Sequence, residues 1–278
     1  TLEPCCHHGL TPPCTNLIEK SRISEVIYSV PDIDVRVKNK SFKILKSKKI
    51  KVKKGLLEEK VKNFYSTYFF NRKKKLPYVT GKIAVSKNNL IYSKLNKRIT
   101  NTKADKFTHL LRYKNDSLMI SYKTLNNDNP KLNCRLKGLT KFSPKRIILD
   151  SNLKTKINSY IFKTANKDNT IIFYNNAPNL RISMFKKKGI QLVRSKLIKH
   201  KYFDLKLILK KLYMLGCRNL LVEGGNDLSS SFVKKKLFNQ FYLFKSPNNL
   251  SKLHSYKDFN FFKNLSQNYK TKSKINTK

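Results

Sequence analysis

Leu220-Leu221-Val222-Glu223-Gly224-Gly225-Asn226-Asp227-Leu228 places a strand, a turn and a helix start in immediate succession. Leu220–Val222 is a short apolar run of the kind buried in a sheet interior. Gly224 and Gly225 let the backbone approach a phosphate. The helix expected behind them, Leu228–Lys235, turns unpaired N–H groups and a partial positive charge towards the same spot. Taken alone, Gly-Gly after a strand is more often a plain tight turn. Its meaning depends on its neighbours.

Those neighbours alternate. Asp204 is placed to cap a helix carrying Leu205, Ile208, Leu209, Leu212 and Leu215 at i, i+3, i+4 and i+7 spacing. Phe241–Phe244 reads as the next strand. Further back, Tyr78–Val85, Ser117–Ser121, Arg146–Leu149 and Thr170–Tyr174 are strand candidates. Thr102 with Asp105 predicts a capping box opening a helix whose inward face holds Phe107, Leu110 and Leu111. Such alternation predicts an α/β domain on one sheet with helices packed against it. The tail from Asn248 to Lys278 carries few clear signals and is expected to be frayed or divergent. Towards the N-terminus, Glu25–Val30 reads as a strand ended at Pro31–Asp32. Leu56–Phe70 carries an apolar face at helical spacing (Leu57, Val61, Phe64, Tyr65, Tyr68, Phe69). The basic run Arg72–Lys75, with Pro77 behind it, is the best domain boundary.

The chain has 278 residues, enough for one large or two modest domains. Its net charge of +45 raises nucleic acid or acidic membranes as partners. However, only ten of the 61 basic residues are Arg, and the Lys residues are spread over the whole length beside abundant Asn. That pattern fits residue usage biased along the entire chain better than one selected patch, so nucleic acid is not the expected partner. No run approaches the roughly 18 apolar residues of a membrane span, and no secretory signal is visible. Five cysteines, three of them within the first fourteen residues, suit a metal site better than a disulfide framework. A reduced, cytoplasmic setting is expected.

Those three lie in Thr1-Leu-Glu-Pro-Cys5-Cys6-His7-His8-Gly9-Leu-Thr-Pro-Pro-Cys14. Thiolates suit zinc, and a catalytic zinc keeps three protein ligands and a water. In zinc deaminases that water attacks a ring carbon bearing an exocyclic amine, while a non-ligand glutamate moves protons. A helix over Asn16–Lys20 would set its positive end beside Cys14.

This segment resembles the corresponding part of the bifunctional riboflavin-biosynthesis deaminase–reductases. The resemblance continues collinearly from about Leu76 to Pro247. It runs through Lys82–Ser86 (KIAVS), Arg98–Thr100 in the place of Trp-Ile-Thr, Leu110–Arg112, Thr124 with Asn127–Leu132, Arg135, Ile148–Ser151 and Val222–Gly225. It implies a partial cytidine-deaminase-like α/β/α domain over residues 1–73, followed by a dihydrofolate-reductase-like α/β reductase domain over 74–278. It also implies NADPH as hydride donor, a phosphoribosylated pyrimidine as substrate, and a homo-oligomer. Carried over by position, Cys5 and Cys14 are two zinc ligands, while His7, His8 and Gly9 lie in a nearby loop and Cys6 is not a ligand. Asn96, Arg112, Leu132, Arg135 and Glu223 face the substrate. Ala84, Arg98, Thr124, Asp128, Ser151 and Gly225-Asn226-Asp227-Leu228-Ser229-Ser230-Ser231 line the NADPH site.

Some positions depart from the family pattern. The His-Ala-Glu motif, with the third zinc ligand and the proton-moving Glu, belongs upstream of Thr1. The chain is therefore expected to be a fragment of a longer reading frame, or a form without its deaminase half, with an incomplete zinc site. Ser86-Lys87-Asn88-Asn89 replaces Ser-Leu-Asp-Gly, although Asn still tolerates the left-handed turn. Arg98 replaces an aromatic residue, and Asn129 an Asp. The competing readings are an inactive paralogue and a basic nucleic-acid-binding protein on the same fold.

Overall fold

The computed structural model describes residues 1–94, 99–253, 255–271 and 273. By its contacts the chain divides into Thr1–Leu76 and Pro77–Lys278.

In the first unit, α1 (Cys14–Lys20) leads to β1 (Glu25–Tyr28), α2 (Lys40–Ser47) to β2 (Lys51–Lys54), and α3 (Glu58–Phe64) and α4 (Ser66–Lys74) close the unit. The two strands pair in parallel, Glu25 opposite Lys51 through Tyr28 opposite Lys54. Tyr28, Val30, Val37 and Leu45 are buried around them. The single helix expected over Leu56–Phe70 is two, reset at Tyr65 (φ −89°, ψ 13°). The reset brings Tyr65, Tyr68 and Phe69 ring against ring, and leaves Leu57 and Phe64 exposed. The helix α4 continues through Arg72–Lys74, because basic side chains suit the negative end of a helix.

The second unit opens with β3 (Tyr78–Val85) and β4 (Leu90–Ser93). Next come α5 (Thr102–Lys114), β5 (Ser117–Ser121), α6 (Tyr122–Asp128), β6 (Lys145–Leu149), α7 (Tyr160–Lys163), β7 (Thr170–Tyr174), α8 (Asn179–Lys187) and β8 (Gln191–Arg194). It continues with β9 (Leu197–Ile198), β10 (Tyr202–Phe203), α9 (Leu205–Met214), β11 (Asn219–Val222), α10 (Asn226–Lys234), β12 (Gln240–Lys245), β13 (Tyr256–Asp258) and α11 (Phe262–Asn268). Seven strands form one sheet in the order β12-β3-β11-β5-β6-β7-β8. Every pairing in it is parallel. Parallel sheets are covered on both faces, which is why the central strands read as unbroken apolar runs. Leu118, Ile120, Ile148, Ile172 and Leu221 are all fully buried in the main core. The expected α/β domain, built on one sheet with helices packed against it, is what the second unit shows.

Two local readings are corrected. Asn101, not Thr102, caps α5, its side chain accepting from the Ala104 amide; Asn is among the strongest capping residues and lies one position earlier. Asp105 instead accepts from the Thr100 hydroxyl. The tail is not frayed over its described residues: β13 pairs antiparallel with β4, and Phe259, Phe261 and Leu265 are buried. Phe261 packs edge-on against Phe259 and Phe241, so the tail completes an aromatic layer beneath β3 and β12. Asn89 does take the left-handed conformation after β3 (φ 59°), as expected of Asn there.

Candidate active site at the carboxyl edge of the sheet

The strand β11 lies between β3 and β5, with Val222 opposite Gly81 on one side and Met119 on the other. The next residue, Glu223, is therefore carried out of the sheet beside Lys82, its amide still bonded to the Met119 carbonyl at 3.2 Å. The helix α5 brings Arg112 to the same place. Its Nε donates to Glu223 Oε1 at 2.7 Å and its Nη2 to Oε2 at 2.8 Å, a two-pronged pair. The side chains are only 11% and 13% exposed. Burial works against the Glu223 carboxylate, but hydrogen bonds and charge from Arg112, with Lys82 and His109, outweigh it and hold the carboxyl below its usual range.

Around this pair is an open pocket of about 290 Å³, lined by Lys82, Asp105, Thr108, His109, Arg112, Arg135 and Glu223. Burial, then Arg112, push the Lys82 ammonium below the ordinary lysine range, against the pull of Glu223 and Asp105. Its Nζ lies 5.0 Å above the Phe244 ring. Burial, with Arg112 and Arg135, also lowers His109. Arg135 is exposed at the rim, its Nη1 donating to Asn133 Oδ1 at 3.1 Å.

Of the residues expected to face substrate, Arg112, Arg135 and Glu223 meet in this pocket. Leu132 does not line it: its side chain is 2% exposed and belongs to the core with Leu111, Leu125 and Ile161. Asn96, and Arg98 of the cofactor set, lie outside the described residues. Lys82, Asp105, Thr108 and His109 are not singled out by the sequence reading. A charged residue inside an apolar strand is the available signal for Lys82. For the others it is the polar stripe Asp105, Thr108, His109, Arg112 at i, i+3, i+4 and i+7 on α5.

The expected cofactor residues follow the carboxyl ends of adjacent strands. Thr124 stands in the first turn of α6 after β5, Ser151 in the turn after β6, and Gly225 between β11 and α10. Ligands of open parallel sheets bind along this edge. A Cβ on Gly225 would meet the Thr124 hydroxyl at 3.6 Å, whereas one on Gly224 would strike Leu228 at 2.9 Å. The first closing bond of the helix is Ser229 N to Gly225 O at 3.1 Å. The amides of Asn226, Asp227 and Leu228 therefore face out of its N-terminal end, as helix starts require. Asn226 Oδ1 is buried there without a hydrogen-bond partner. An unpaired acceptor beside outward-facing amides fits a ligand with both donors and anionic oxygens, as a dinucleotide is.

The remaining expected contacts are more modest. Ala84 shares the Lys82 face of β3 and pairs with Phe244. Asp128 ends α6 with its carboxyl raised by burial. Ser151 holds Asn152 through its hydroxyl, and the Asn175 and Asn176 amides through its carbonyl. The side chains of Leu228 and Ser229 are buried, Ser229 donating to the Gly224 carbonyl. The Ser231 hydroxyl donates to Asp227 O. Ser230 follows on the same helix.

In the first unit, Cys5 and Cys14 lie with their sulfurs 3.3 Å apart, and that hydrogen bond raises the Cys14 thiol. Cys6 donates instead to the Arg36 carbonyl. Glu3 is spent on the amides of Asp32, Asn39 and Phe42. Among the described residues no group of three His, Cys, Asp or Glu could hold a metal. Two thiols do not make the three-donor set of a catalytic zinc. No helix among the described residues is long and apolar enough to cross a membrane.

Residues 81–251 match the RibD C-terminal domain family. The riboflavin biosynthesis protein RibD of Aquifex aeolicus is 31% identical over 249 residues, covering 89% of this chain and 68% of that protein. Among solved structures, Acinetobacter baumannii RibD shares the fold with a TM-score of 0.80 at 24% identity, covering 93% of this chain and 70% of that one. A Thermotoga maritima diaminohydroxyphosphoribosylaminopyrimidine deaminase/5-amino-6-(5-phosphoribosylamino)uracil reductase superposes with a TM-score of 0.76 at 28% identity, over 93% and 69%. The chain thus spans about two thirds of the length of its relatives. It belongs to the RibD family of riboflavin biosynthesis proteins, which it joins through that family's C-terminal domain.

Proposed function

We propose that Pro77–Lys278 is an NADPH-dependent reductase acting on 5-amino-6-(5-phosphoribosylamino)uracil and yielding the ribitylamino product. The observation that carries this reading is the gathering of Lys82, His109, Arg112, Arg135 and Glu223 in one pocket beside the Gly224–Gly225 turn. When bound, NADPH supplies the hydride. The chain's own residues do the rest. The exposed Arg135 guanidinium is placed to take the substrate phosphate by a charge-assisted fork. Arg112 is committed to Glu223 and so acts by holding that carboxylate in place. Glu223 in turn faces the substrate as a fixed acceptor, and the half-buried Lys82 ammonium offers a cation to the sugar oxygen that gains charge as the ribose opens. The outward amides of α10, with Thr124 across from Gly225, suit the cofactor's pyrophosphate.

The reductase activity named for the Thermotoga maritima relative and the collinear motifs support this reading. It is tested by following NADPH oxidation with the deaminated phosphoribosylaminouracil. Turnover that falls steeply in Arg135→Ala is expected, and absence of turnover in the parent chain overturns the reading. We further infer that Thr1–Leu76 is the C-terminal part of a deaminase domain. Cys5 and Cys14 would be two zinc ligands only in a chain that also carries the His-Ala-Glu motif.

A further inference from the structure

Asn133–Arg135, the loop that presents Arg135, has no helix or strand of its own among the described residues. Each of its residues is tethered by one side chain. Arg112 Nη1 donates to the Asn133 carbonyl at 3.2 Å, and the Cys134 amide donates to Ser143 Oγ at 3.1 Å. The Arg135 amide donates to His109 Nδ1 at 3.3 Å. Cys134 Sγ adds a contact to the His109 carbonyl at 3.5 Å. Two of the three tethers thus come from α5, from residues one turn apart. Arg112 keeps its charge at any ordinary pH. His109 does not, and it can accept from an amide only while the ring is neutral with its proton on Nε2.

We propose that His109 is a positioning residue for the reductase: its Nδ1 holds the Arg135 backbone and so sets where the guanidinium meets the substrate phosphate. The proposal rests on the reading above that Arg135 faces that phosphate. Every charged element around the ring bears on it. Burial, then Arg112 on its own helix and Arg135 on the loop, favour the neutral form, while the Asn133 carbonyl and Glu223 at the end of β11 favour the charged one. Lys82 on β3 and Asp105 on α5 complete the pocket. The balance lies below the ordinary histidine value of 6.5, so the ring is the needed acceptor at neutral pH. On acidification it becomes a second donor facing the Arg135 amide, and the tether is lost. The loop then gives up its hold on the substrate without loss of the Arg112–Glu223 pair.

The test compares His109→Leu, which keeps bulk and removes the acceptor, with His109→Asn, whose side-chain oxygen falls near the Nδ1 position. Removing the acceptor leaves an amide unpaired, so His109→Leu is expected to raise the substrate KM about tenfold with kcat changed by no more than about twofold. His109→Asn is expected to recover most of that loss. The parent KM should climb as pH falls below 6.5, and that acid limb should be missing from His109→Asn. An unchanged KM in His109→Leu, an equal impairment in His109→Asn, or the same acid limb in both overturns the proposal. If His109→Leu does not fold, the pH profiles of the parent and His109→Asn decide it. A parent without NADPH turnover removes the reductase reading but leaves this contact measurable. Nitrogen-15 NMR of the five histidine rings, assigned by the resonance missing in His109→Asn, should show a bare Nδ1 near neutral pH. A protonated Nδ1 there overturns the proposal.

Discussion

Arg112 and Glu223, 111 positions apart in the chain, meet in a two-pronged ion pair with contacts of 2.7 and 2.8 Å. Both side chains are close to nine-tenths hidden from solvent. Burying two charges is costly, and the cost is offset only while both partners are present. Glu223→Gln should therefore lower stability by about 3–5 kcal/mol, the usual penalty for stranding a buried partner. Urea unfolding at neutral pH measures it. A loss under about 1 kcal/mol would show that the pair is solvated.

The same pair sets a pH dependence. The folded-state pKa of Glu223 is held below its ordinary value of 4.5. Its stabilisation is therefore fully present above that value and is lost as pH falls through the lower folded pKa. Urea midpoints of the parent should decline more steeply below about pH 4.5 than those of Glu223→Gln. Parallel curves would assign the acid loss to other carboxylates.

Gly224 and Gly225 should respond oppositely to one methyl group. Alanine at 224 meets Leu228 at 2.9 Å and should cost about 1–3 kcal/mol as overpacking. Alanine at 225 has ordinary contact distance to Thr124, at 3.6 Å, and should leave stability nearly unchanged while weakening NADPH. Thermal melting and the NADPH KM, measured on both variants, separate the two effects.

Truncation after Ser251 removes β13 and the buried Phe259, Phe261 and Leu265. At roughly 1.5–3 kcal/mol for each large apolar side chain taken out of water, the loss should reach several kcal/mol. The unshortened chain is the reference for that loss. Guanidinium midpoints for the two lengths check the difference. Equal midpoints would show that the tail adds nothing to the core.

Much of the sheet is legible because its strands are apolar runs bounded by turn residues. Tyr78–Val85, Ser117–Ser121 and Thr170–Tyr174 lie where the pattern places them. Arg112, Arg135 and Glu223 can each be named from motif order, but not the pairing of the first with the third, which only the insertion of β11 between β3 and β5 creates. Lys82 carries one local mark, a charge inside an apolar strand, but among 61 Lys and Arg residues that mark is easily lost. His109 is marked only by the polar stripe on α5, which without the pocket reads as an ordinary solvated helix face. The tail escapes a local reading because Phe259 and Phe261 make sense only against Phe241, a partner outside their own segment. Such burial leaves no local periodicity to find.

Both neighbours of β3 in the sheet, β11 and β12, come from Asn219–Lys245. As the chain leaves the ribosome, the first strand of this unit therefore waits with two bare edges until residue 219 arrives. The strands β5 to β8 can stack in the order of their synthesis, whereas β3 and the Lys82 side of the pocket can only be built last. Strand insertion of this kind closes a long loop and is slow. Catalytic competence should accordingly trail the appearance of secondary structure during refolding. The exposed edges of β3 are the surfaces that a chaperone would have most reason to cover in the interval.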